Sequence, residues 1–182
     1  MTRLSYAELD SPMGTLLLVG SERGLIRLGL PVEQPDQVLD RLERRMGIRA
    51  AEEPARVAVA RRQLDQYFAG RLRDFTLPLD LSLARGFRLR SLEAMFEIPY
   101  GETISYGELA SRAGNPRASR AAGHACATNP IPIVLPCHRV VRSDGDLNWY
   151  TGGLRYKELL LSVEGVPLTR RGDRPRVAAK ET

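Results

Sequence analysis

Alternating apolar and polar residues open the chain and predict three strands joined by tight turns. The turns are marked by glycine, proline, serine and aspartate, which favour chain reversal. The predicted strands run from Arg3 to Leu9, from Thr15 to Val19 and from Leu25 to Leu30. A further extended apolar run, from Asp74 to Leu81, is broken by Pro78.

Two helical patterns follow the three strands. Apolar residues recur every three or four positions from Pro35 onwards, and Gly47 is expected to end this helix. The same period recurs from Pro54 to Phe68, ahead of Gly70. The predicted apolar face of this second helix consists of Val57, Ala60, Leu64 and Phe68. Strands and helices in this order predict a small α/β domain over residues 1–82.

A second domain is predicted over residues 83–168, and it begins with a helix from Leu83 to Glu97. The expected core contacts of this helix are Phe87, Leu92, Met95 and Phe96. A basic C-terminal tail, residues 169–182, is predicted to follow and to be flexible and solvated, with transient phosphate contact as the alternative. Its cationic residues are Arg170, Arg171, Arg174, Arg176 and Lys180.

Two short helices separated by a glycine-containing turn are predicted inside the second domain. Ser105 can cap the first helix, with an acidic residue three positions later as in a capping box. Residues 114–116 break that helix, and the second is predicted from Pro116 to Ala127. Helices joined in this way form a helix-turn-helix, whose second helix enters a DNA groove. That helix is rich in small residues, which allow close approach, and Arg117 and Arg120 are its arginines.

A cysteine segment lies directly behind this second helix. Cys137 precedes His138 and Arg139 within an apolar stretch, in a chain with only 2 cysteines and 2 histidines. Because a neighbouring imidazole or guanidinium lowers the pKa of a thiol, this arrangement predicts an activated cysteine. A small buried cysteine is the alternative. The hairpin-like turn from Arg142 to Asp146 then predicts the wing of a winged helix-turn-helix.

Composition narrows the class of protein. The hydrophobic share of 43% and the charged share of 27% are ordinary for a globular protein, and the net charge of +5 favours an anionic partner. The first apolar run, Leu16 to Val19, is too short to span a membrane, and no signal peptide is expected because acidic residues precede it. Two cysteines make no disulfide framework and suit a reducing cytosol. His124 and Cys126 have no second ligand pair at zinc spacing.

Short motifs occur in a characteristic order along the second half of the chain. They are Tyr106 to Ala110, Asn115-Pro116, Ala118 to Gly123, Asn129-Pro130, Pro136 to Val141, Tyr150 to Leu154, Lys157, and Leu160 to Gly165. Together they resemble the O6-alkylguanine-DNA alkyltransferase family, also called methylated-DNA–protein-cysteine methyltransferase. The resemblance covers residues 87–166, and the first 82 residues match in layout. It implies an α+β fold, with a small ribonuclease-H-like α/β domain preceding a winged helix-turn-helix domain.

The resemblance implies direct-reversal DNA repair. A damaged guanine is flipped out of the duplex, and Cys137 attacks the alkyl carbon of O6-alkylguanine, and of O4-alkylthymine, in one irreversible transfer. By similarity, a proton relay runs from Cys137 through a water to His138 and then to Glu164. The implied partner is double-stranded DNA that carries alkylated bases. No cofactor or metal is implied, and a cytoplasmic monomer is expected.

The resemblance also assigns roles to further residues. Asn129 is the expected hinge of the cysteine loop, Tyr106 bonds the guanine ring nitrogen and rotates the phosphate, and Arg120 fills the gap left by the flipped base. The other expected DNA contacts are Arg117, Ala121 and Gly123. The expected pocket residues are Val140, Tyr150, Thr151, Cys126, Lys157 and Trp149. Backbone carbonyls of Cys137 and Val140 are expected to accept from the guanine amino group, and the Thr151 N–H to donate to O6.

Four of these residues have ordinary structural alternatives. Glu164 is otherwise a surface acid at a helix end, and Asn129 is otherwise a turn residue ahead of a proline. Lys157 is otherwise an exposed helix lysine. Arg139 is interpreted as an ion-pair partner that bridges the two domains.

Departures from the family pattern concern the pocket. The family usually has glycine at the position of Asn148 and a small residue at that of Trp149, so the added bulk predicts a pocket that disfavours large alkyl groups and free-base inhibitors. Cys126 stands where relatives often have methionine or a polar residue. It is interpreted as a packing residue, with oxidation against Cys137 as the alternative. Leu92 stands where the family often has tryptophan, a packing change.

Three other functions compete with alkyl transfer. An alkyltransferase-like sensor would bind lesions without transferring the alkyl group, but such relatives lack the reactive cysteine. A transcriptional sensor would need an added metal-binding or activator domain, for which 182 residues leave no room. A thiol hydrolase would need a general base besides His138 and an oxyanion hole, and the sequence has no signature of either.

Overall fold

The chain folds into two compact units that divide between Leu83 and Ala84. The computed structural model describes residues 3–178. Lys180 of the predicted tail therefore lies outside the described residues. No helix within residues 3–178 is long and apolar enough to cross a membrane.

The first unit is built on a four-stranded sheet, in which the first strand lies between the second and the fourth and the third strand lies at the edge beside the second. Strands β1 (Leu4–Ser11), β2 (Gly14–Ser21) and β3 (Gly24–Gly29) form an antiparallel meander, which confirms the three predicted strands. A short β4 (Ala50–Glu52), which the sequence pattern did not reveal, pairs parallel to β1. The core on one face of this sheet consists of Leu4, Leu17, Val19, Ile26, Val38 and Leu42.

Two helices complete the first unit, α1 (Pro35–Met46) and α2 (Ala58–Phe68). Helix α1 ends as predicted at Gly47, whose φ of 69° suits glycine. The second helical pattern is split, because residues 54–57 form a separate 3₁₀ turn ahead of α2. Of the predicted apolar face, Val57, Ala60 and Leu64 are buried and Phe68 is half-buried, while the neighbouring Tyr67, which was not predicted, is fully buried.

The second unit contains four helices among the described residues: α3 (Gly86–Phe96), α4 (Tyr106–Arg112), α5 (Ser119–Ala127) and α6 (Leu154–Val163). Helix α3 begins three residues later than predicted. Leu92 and Met95 are fully buried as expected and Phe87 is half-buried, but Phe96 is exposed, so its predicted core position is wrong.

Helices α4 and α5 form the predicted helix-turn-helix. The Ser105 hydroxyl accepts from the Glu108 N–H at 3.1 Å, which confirms the cap. The Glu108 carboxylate instead binds an arginine one turn later, so the capping box is only half formed. Helix α5 begins at Ser119 rather than Pro116, because the Asn115 side chain and carbonyl hold the intervening residues in a turn.

A small parallel sheet anchors the cysteine segment to the helix-turn-helix. Strand β5 (Ile104–Ser105) precedes α4 directly and pairs with β6 (Val140–Val141), which directly follows a 3₁₀ turn at Cys137–Arg139. The predicted wing turn follows: the Arg142 N–H donates to the Asp146 carbonyl at 2.9 Å. Residues 142–147 are called the wing loop below.

The segment predicted as a flexible tail is folded over its described part. Strands β7 (Leu168–Arg171) and β8 (Arg174–Val177) form an antiparallel hairpin, called the C-terminal hairpin below. Leu168 and Val177 pack against the core cluster of Val141, Leu147, Leu161 and Val166. The frequent arginines hid this pattern, because the apolar residues that fold the hairpin are few and alternate with them.

Candidate active site around Cys137

Cys137 lies in the 3₁₀ turn behind α5, with its side chain buried. Asn129 spans the loop that precedes it: its Nδ2 donates to the Leu135 carbonyl at 2.7 Å, and its Oδ1 accepts from the Ile131 N–H at 3.0 Å. Within this loop Ile133 has a φ of 76°, an uncommon conformation for a β-branched residue. Asn129 therefore fixes both sides of a strained loop whose end carries the thiol.

His138 and Glu164 form a buried pair beside Cys137. The Nε2 atom of His138 lies 2.6 Å from Oε1 of Glu164, and both side chains are 0% exposed. Glu164 directly follows α6, and its backbone N–H still donates to carbonyls of that helix. The reading of Glu164 as a surface acid is therefore wrong.

Two further donors complete the surroundings of Glu164. The Gly101 N–H donates to Oε2 at 3.1 Å, and Arg139 donates to both carboxylate oxygens at 2.9 and 3.0 Å. Arg139 also donates to the Ile98 carbonyl. These partners all belong to the second unit, so the expectation that the Arg139 ion pair bridges the domains is corrected to an ion pair inside the unit.

The charges of this pair follow from burial and contact. Burial by itself would raise the pKa of Glu164, but the adjacent His138 and Arg139 outweigh it, and the pKa lies well below its ordinary value. Burial lowers the pKa of His138, against the opposing attraction of Glu164. At neutral pH the carboxyl is therefore ionised and the imidazole neutral. A carboxylate only accepts, so Nε2 carries the proton and Nδ1 is the basic nitrogen.

The thiol itself corrects one expectation. Burial raises the pKa of Cys137, and the side chain of Asn129 and the charge of Lys157 oppose that rise. The neighbouring guanidinium of Arg139 is engaged with Glu164, as its interpretation as an ion-pair partner predicted, and does not appear among the groups that lower the pKa of the thiol. Cys137 therefore rests as a thiol and needs a base to become a nucleophile.

Lys157 is fully buried, contrary to the ordinary reading of a helix lysine as exposed. Its Nζ donates to the carbonyls of Val140 and Leu147, each at 2.6 Å. Burial lowers its pKa to about 8, while Cys137 and Cys126 work in the opposite direction. The lysine thus places a mostly charged ammonium behind the thiol and ties β6 to the last residue of the wing loop.

A cavity of about 170 Å³ opens beside the thiol. It is lined by Tyr106, Gly123, Cys126, Ala127, Cys137, Asn148, Trp149, Tyr150 and Thr151. Four predicted pocket residues, Cys126, Trp149, Tyr150 and Thr151, are therefore brought together with Cys137. Val140 and Lys157 lie behind the cavity rather than in its lining. Ala127 was not predicted, because an alanine on a helix carries no distinguishing signal.

Two polar atoms near the thiol are buried without a hydrogen-bond partner among the described residues: Nδ1 of His138 and the hydroxyl of Tyr150. Burial, and then the nearby Cys137 thiol, raise the pKa of Tyr150 well above its ordinary value. Tyr150 is thus a neutral donor at the cavity. Buried polar atoms normally have partners, so Nδ1 of His138 points to a contact with a substrate or a bridging water. The Tyr150 hydroxyl instead lies close enough to the Cys137 thiol to lower the pKa of that thiol.

The mouth of the cavity holds a contact that the sequence did not predict. The Asn148 Nδ2 donates to the Tyr106 hydroxyl at 3.4 Å. Asn148 has a φ of 58°, which asparagine and glycine tolerate. The change from the family glycine therefore preserves the backbone conformation while adding a donor. Burial raises the pKa of Tyr106 to about 12, so the phenol stays protonated.

The predicted DNA-contacting residues lie on and just before α5. Arg117, Arg120 and Ala121 are exposed, and Gly123 is half-buried against the Tyr106 ring, 3.8 Å from the position that a Cβ would take. Small residues on this helix therefore leave room for close approach.

The two backbone carbonyls expected to accept from the guanine amino group each already accept a hydrogen bond from within the protein. The Val140 carbonyl accepts from Lys157, and the Cys137 carbonyl accepts from the Val140 N–H. A carbonyl has two lone pairs, so each retains one for a ligand. Thr151 is exposed at the cavity, with its hydroxyl donating to the Ala127 carbonyl at 3.2 Å.

The described residues around Cys137 contain neither a metal-binding cluster nor a disulfide. Within residues 3–178, no three His, Cys, Asp or Glu side chains are arranged to hold a metal ion. Cys126 and Cys137 are both free thiols, and burial also raises the pKa of Cys126. A buried thiol of this kind is a poor candidate for oxidation, which favours the packing interpretation of Cys126.

Comparisons with known proteins agree with this geometry. Residues 4–81 match the family profile described as 6-O-methylguanine DNA methyltransferase, ribonuclease-like domain, and residues 86–166 match that of its DNA binding domain. The chain is 43% identical over 168 residues to the methylated-DNA–protein-cysteine methyltransferase of Methanosarcina acetivorans, covering 88% of this chain and 97% of that one. It is 42% identical over 156 residues to the Mycobacterium leprae protein of the same name, covering 86% and 89%.

Solved structures extend the comparison. The crystal structure of Mycobacterium tuberculosis OGT in complex with DNA superposes with a TM-score of 0.74 at 40% identity, over 88% of this chain and 92% of that one. The matches also confirm the predicted fold class, a ribonuclease-like domain followed by a DNA-binding domain. This chain belongs to the 6-O-methylguanine DNA methyltransferase family.

Proposed function

We propose that this protein repairs DNA by direct reversal, moving the alkyl group of O6-alkylguanine irreversibly onto Sγ of Cys137. The observation that carries the proposal is the buried thiol at a base-sized cavity, next to the 2.6 Å pair of His138 and Glu164. The full-length relatives named for this transfer support it over a lesion sensor without transfer. O4-alkylthymine presents the same alkyl–oxygen bond and is a second substrate of the proposal.

The first step is removal of the thiol proton. His138 is neutral with its free Nδ1 unpartnered, so this nitrogen takes the proton from Cys137, through a bridging water as the family resemblance implies. Glu164 stabilises the resulting imidazolium, because the carboxylate is already ionised. Asn129 and Lys157 favour the thiolate form. General-base assistance of this kind contributes about 10²–10⁴-fold to a rate.

The second step is a single displacement. Sγ attacks the alkyl carbon, a new sulfur–carbon bond forms, and the bond from that carbon to O6 breaks. O6 keeps the electron pair, and the Thr151 N–H and the neutral Tyr106 phenol stabilise the guanine anion until it is protonated. Lone pairs on the carbonyls of Cys137 and Val140 accept from the guanine amino group. A thioether does not hydrolyse, so each protein molecule reacts once.

Access to the base requires flipping. Arg120 is exposed on α5 and replaces the extruded base in the stack, while Tyr106 turns the phosphate. Arg117 contacts the backbone, and the small side chains of Ala121 and Gly123 let α5 approach the groove. Cys126, Tyr150 and Trp149 form the walls that receive the base.

The two units have separate roles in this proposal. We propose that residues 1–82 act as a ribonuclease-like domain without chemistry of its own, and that residues 83–168 bind DNA and transfer the alkyl group. A cytoplasmic monomer that uses neither metal nor cofactor completes the proposal, since reactive thiols persist in a reducing compartment.

The test is intact mass after incubation with a duplex that carries O6-methylguanine, followed by peptide mapping. We expect a gain of one methyl group on the peptide that contains Cys137, together with an equal amount of repaired guanine. Cys137→Ala should bind the same duplex and gain no mass. Tight lesion binding by the unaltered protein without any mass gain would contradict transfer and establish the sensor function.

A further inference from the structure

The C-terminal hairpin lies outside the part of the chain that matches the family. The match to the DNA-binding domain ends at residue 166, and β7 begins at Leu168. The hairpin is held against the wing loop by backbone bonds: the Leu147 N–H donates to the Pro175 carbonyl at 3.2 Å, and the Val177 N–H to the Gly145 carbonyl at 2.9 Å. It is therefore a fixed addition to the wing.

The hairpin has two chemically different faces. Alternation along paired strands puts Leu168, Pro175 and Val177 on the face that packs onto the core. Arg171, Arg174 and Arg176 share the opposite face. Burial of the first face explains why the hairpin folds, but it leaves the basic face without a role in folding.

The basic face carries an unfavourable pairing. Arg171 and Arg174 are direct cross-strand partners and both are exposed. Like charges directly opposite each other destabilise a hairpin. Arg170, by contrast, is paired with Glu158 at 2.8 Å. An external anion between Arg171 and Arg174 would remove the repulsion, which the fold itself does not.

A groove of about 770 Å³ runs between the hairpin, the wing loop and the start of α4. Arg142, Arg171 and Arg176 are among its lining residues, as are the acids Glu108 and Asp144. Glu108 is paired with Arg112, and Asp144 with Arg142 at 3.6 Å. The hairpin arginines thus supply the excess positive charge of the groove.

The groove and the active-site cavity are lined by residues that lie close together in the sequence. Arg176 forms an antiparallel backbone β-bridge with Asp146, and Asn148, two residues further along the chain, lines the cavity. Two residues of chain span at most about 7 Å, the length of the fully extended backbone. A duplex that inserts a base into the cavity carries a phosphate for every base, so its backbone passes within reach of the hairpin. Guanidinium groups bind phosphate in a bidentate way, which suits arginine rather than lysine.

We propose that the basic face of the C-terminal hairpin is a second phosphate-binding surface, which extends the DNA contact beyond α5 through Arg171 and Arg174. This inference rests on the proposed function, because that function brings duplex DNA to the cavity. Each lost phosphate contact lowers the slope of log affinity against log salt by about 0.9 for duplex DNA.

The experiment compares binding of an undamaged duplex between about 50 and 200 mM salt. Arg171→Ala/Arg174→Ala should reduce the slope by about 2 and the salt-induced loss of affinity by about tenfold. Arg61→Ala/Arg62→Ala removes the same charge from exposed positions on α2 and should leave the slope unchanged. Arg171→Lys/Arg174→Lys should retain most of the slope, since the charges remain.

Either of two results overturns the proposal: an unchanged slope in the hairpin variant, or an equal reduction in the α2 control. Melting temperature shows whether the hairpin variant is folded, and transfer from free O6-methylguanine base should proceed at the unaltered rate. The failure of the proposed function would show differently, as the absence of methyl on Cys137 in the unaltered protein, while the slopes remain measurable.

Discussion

The buried ammonium of Lys157 donates to the Val140 carbonyl at 2.6 Å, one residue position from the turn that carries the reactive cysteine. The same ammonium also donates to the carbonyl of Leu147, the last residue of the wing loop. One side chain therefore ties β6 to the wing loop and places a positive charge behind the Cys137 thiol. The charge favours the thiolate.

Replacement of Lys157 by methionine should slow alkyl transfer. Methionine fills a similar volume, but it removes the charge that favours the thiolate and the two hydrogen bonds that tie β6 to the wing loop. We expect a fall of about tenfold or more in the single-turnover rate, equivalent to about 1.4 kcal/mol. Lys157→Arg keeps the charge and should retain more activity. A methionine variant that is folded and fully active would contradict the role of this charge.

Replacement of Glu164 by glutamine should separate binding from chemistry. An amide cannot stabilise an imidazolium as a carboxylate does, and it leaves the tautomer of His138 unassigned. The transfer rate should fall about 10²–10⁴-fold, the usual range for general-base assistance. Lesion binding should persist, measured on a duplex that carries O6-methylguanine.

The stability of the Glu164→Gln variant must be measured as a control. Breaking a buried ion pair costs about 3–5 kcal/mol, here through the loss of partners for Arg139, so urea unfolding must show that the protein is still folded at the assay temperature. Glu93→Gln, on an exposed position of α3, is the matched control and should change neither rate nor stability. An active Glu164→Gln variant would contradict the relay.

The transfer rate should have a plateau between about pH 6.5 and 8. The pKa of His138 lies below its ordinary 6.5, so the basic imidazole is present throughout this window and is lost only in more acid solution. Towards higher pH, Lys157 loses its proton near its pKa of about 8, and the thiolate loses a stabilising charge. Single-turnover rates across this range test the prediction, and a rate that rises with pH through 6.5 to 8 would contradict it.

Acid destabilisation accompanies the profile and must be measured beside it. The pKa of His138 and that of Glu164 are both lower in the folded than in the unfolded protein, so the unfolded chain binds more protons. The free energy of unfolding should therefore fall as the pH falls below 6.5, and further below 4.5, the ordinary values of the two groups.

Asn148 offers a test of the contact with Tyr106. Asn148→Gly keeps the left-handed conformation and removes the amide, whereas Asn148→Ala removes the amide and adds backbone strain of about 1–2 kcal/mol. Both variants should transfer methyl more slowly if the amide orients the Tyr106 hydroxyl, and only the alanine variant should lose stability. Normal transfer by the glycine variant would show that the 3.4 Å contact does not orient the phenol.

Trp149 should limit the size of the alkyl group. Its side chain lines the cavity of about 170 Å³ although 59% of the residue is exposed. Trp149→Ala should therefore react faster with O6-benzylguanine, while transfer of methyl from duplex DNA changes little. The rate with O6-benzylguanine and the rate of methyl transfer from duplex DNA, measured in parallel for both proteins, test this prediction. A normal benzylguanine rate in the unaltered protein would contradict the steric interpretation.

Local features of the second unit follow from neighbouring residues and were predictable. Ser105 caps α4 because a hydroxyl at that position satisfies a free N–H. The adjacency of Cys137 and His138, together with the ordered motifs around them, indicated the reaction. Such signals need only a few consecutive residues, which is the range over which sequence patterns act.

Tertiary structure decided the electrostatics and the less regular elements. Burial sets the pKa of Cys137 and of Lys157, and burial depends on packing that a single segment does not encode. The Arg139 guanidinium is held by Glu164, 25 positions later, whose two carboxylate oxygens both accept from it. The C-terminal hairpin folds because the wing loop supplies backbone partners for it. The sequence by itself therefore determined the family, the chemistry and the elements with a clear local pattern, while the fold decided the short β4, the C-terminal hairpin and which groups are charged.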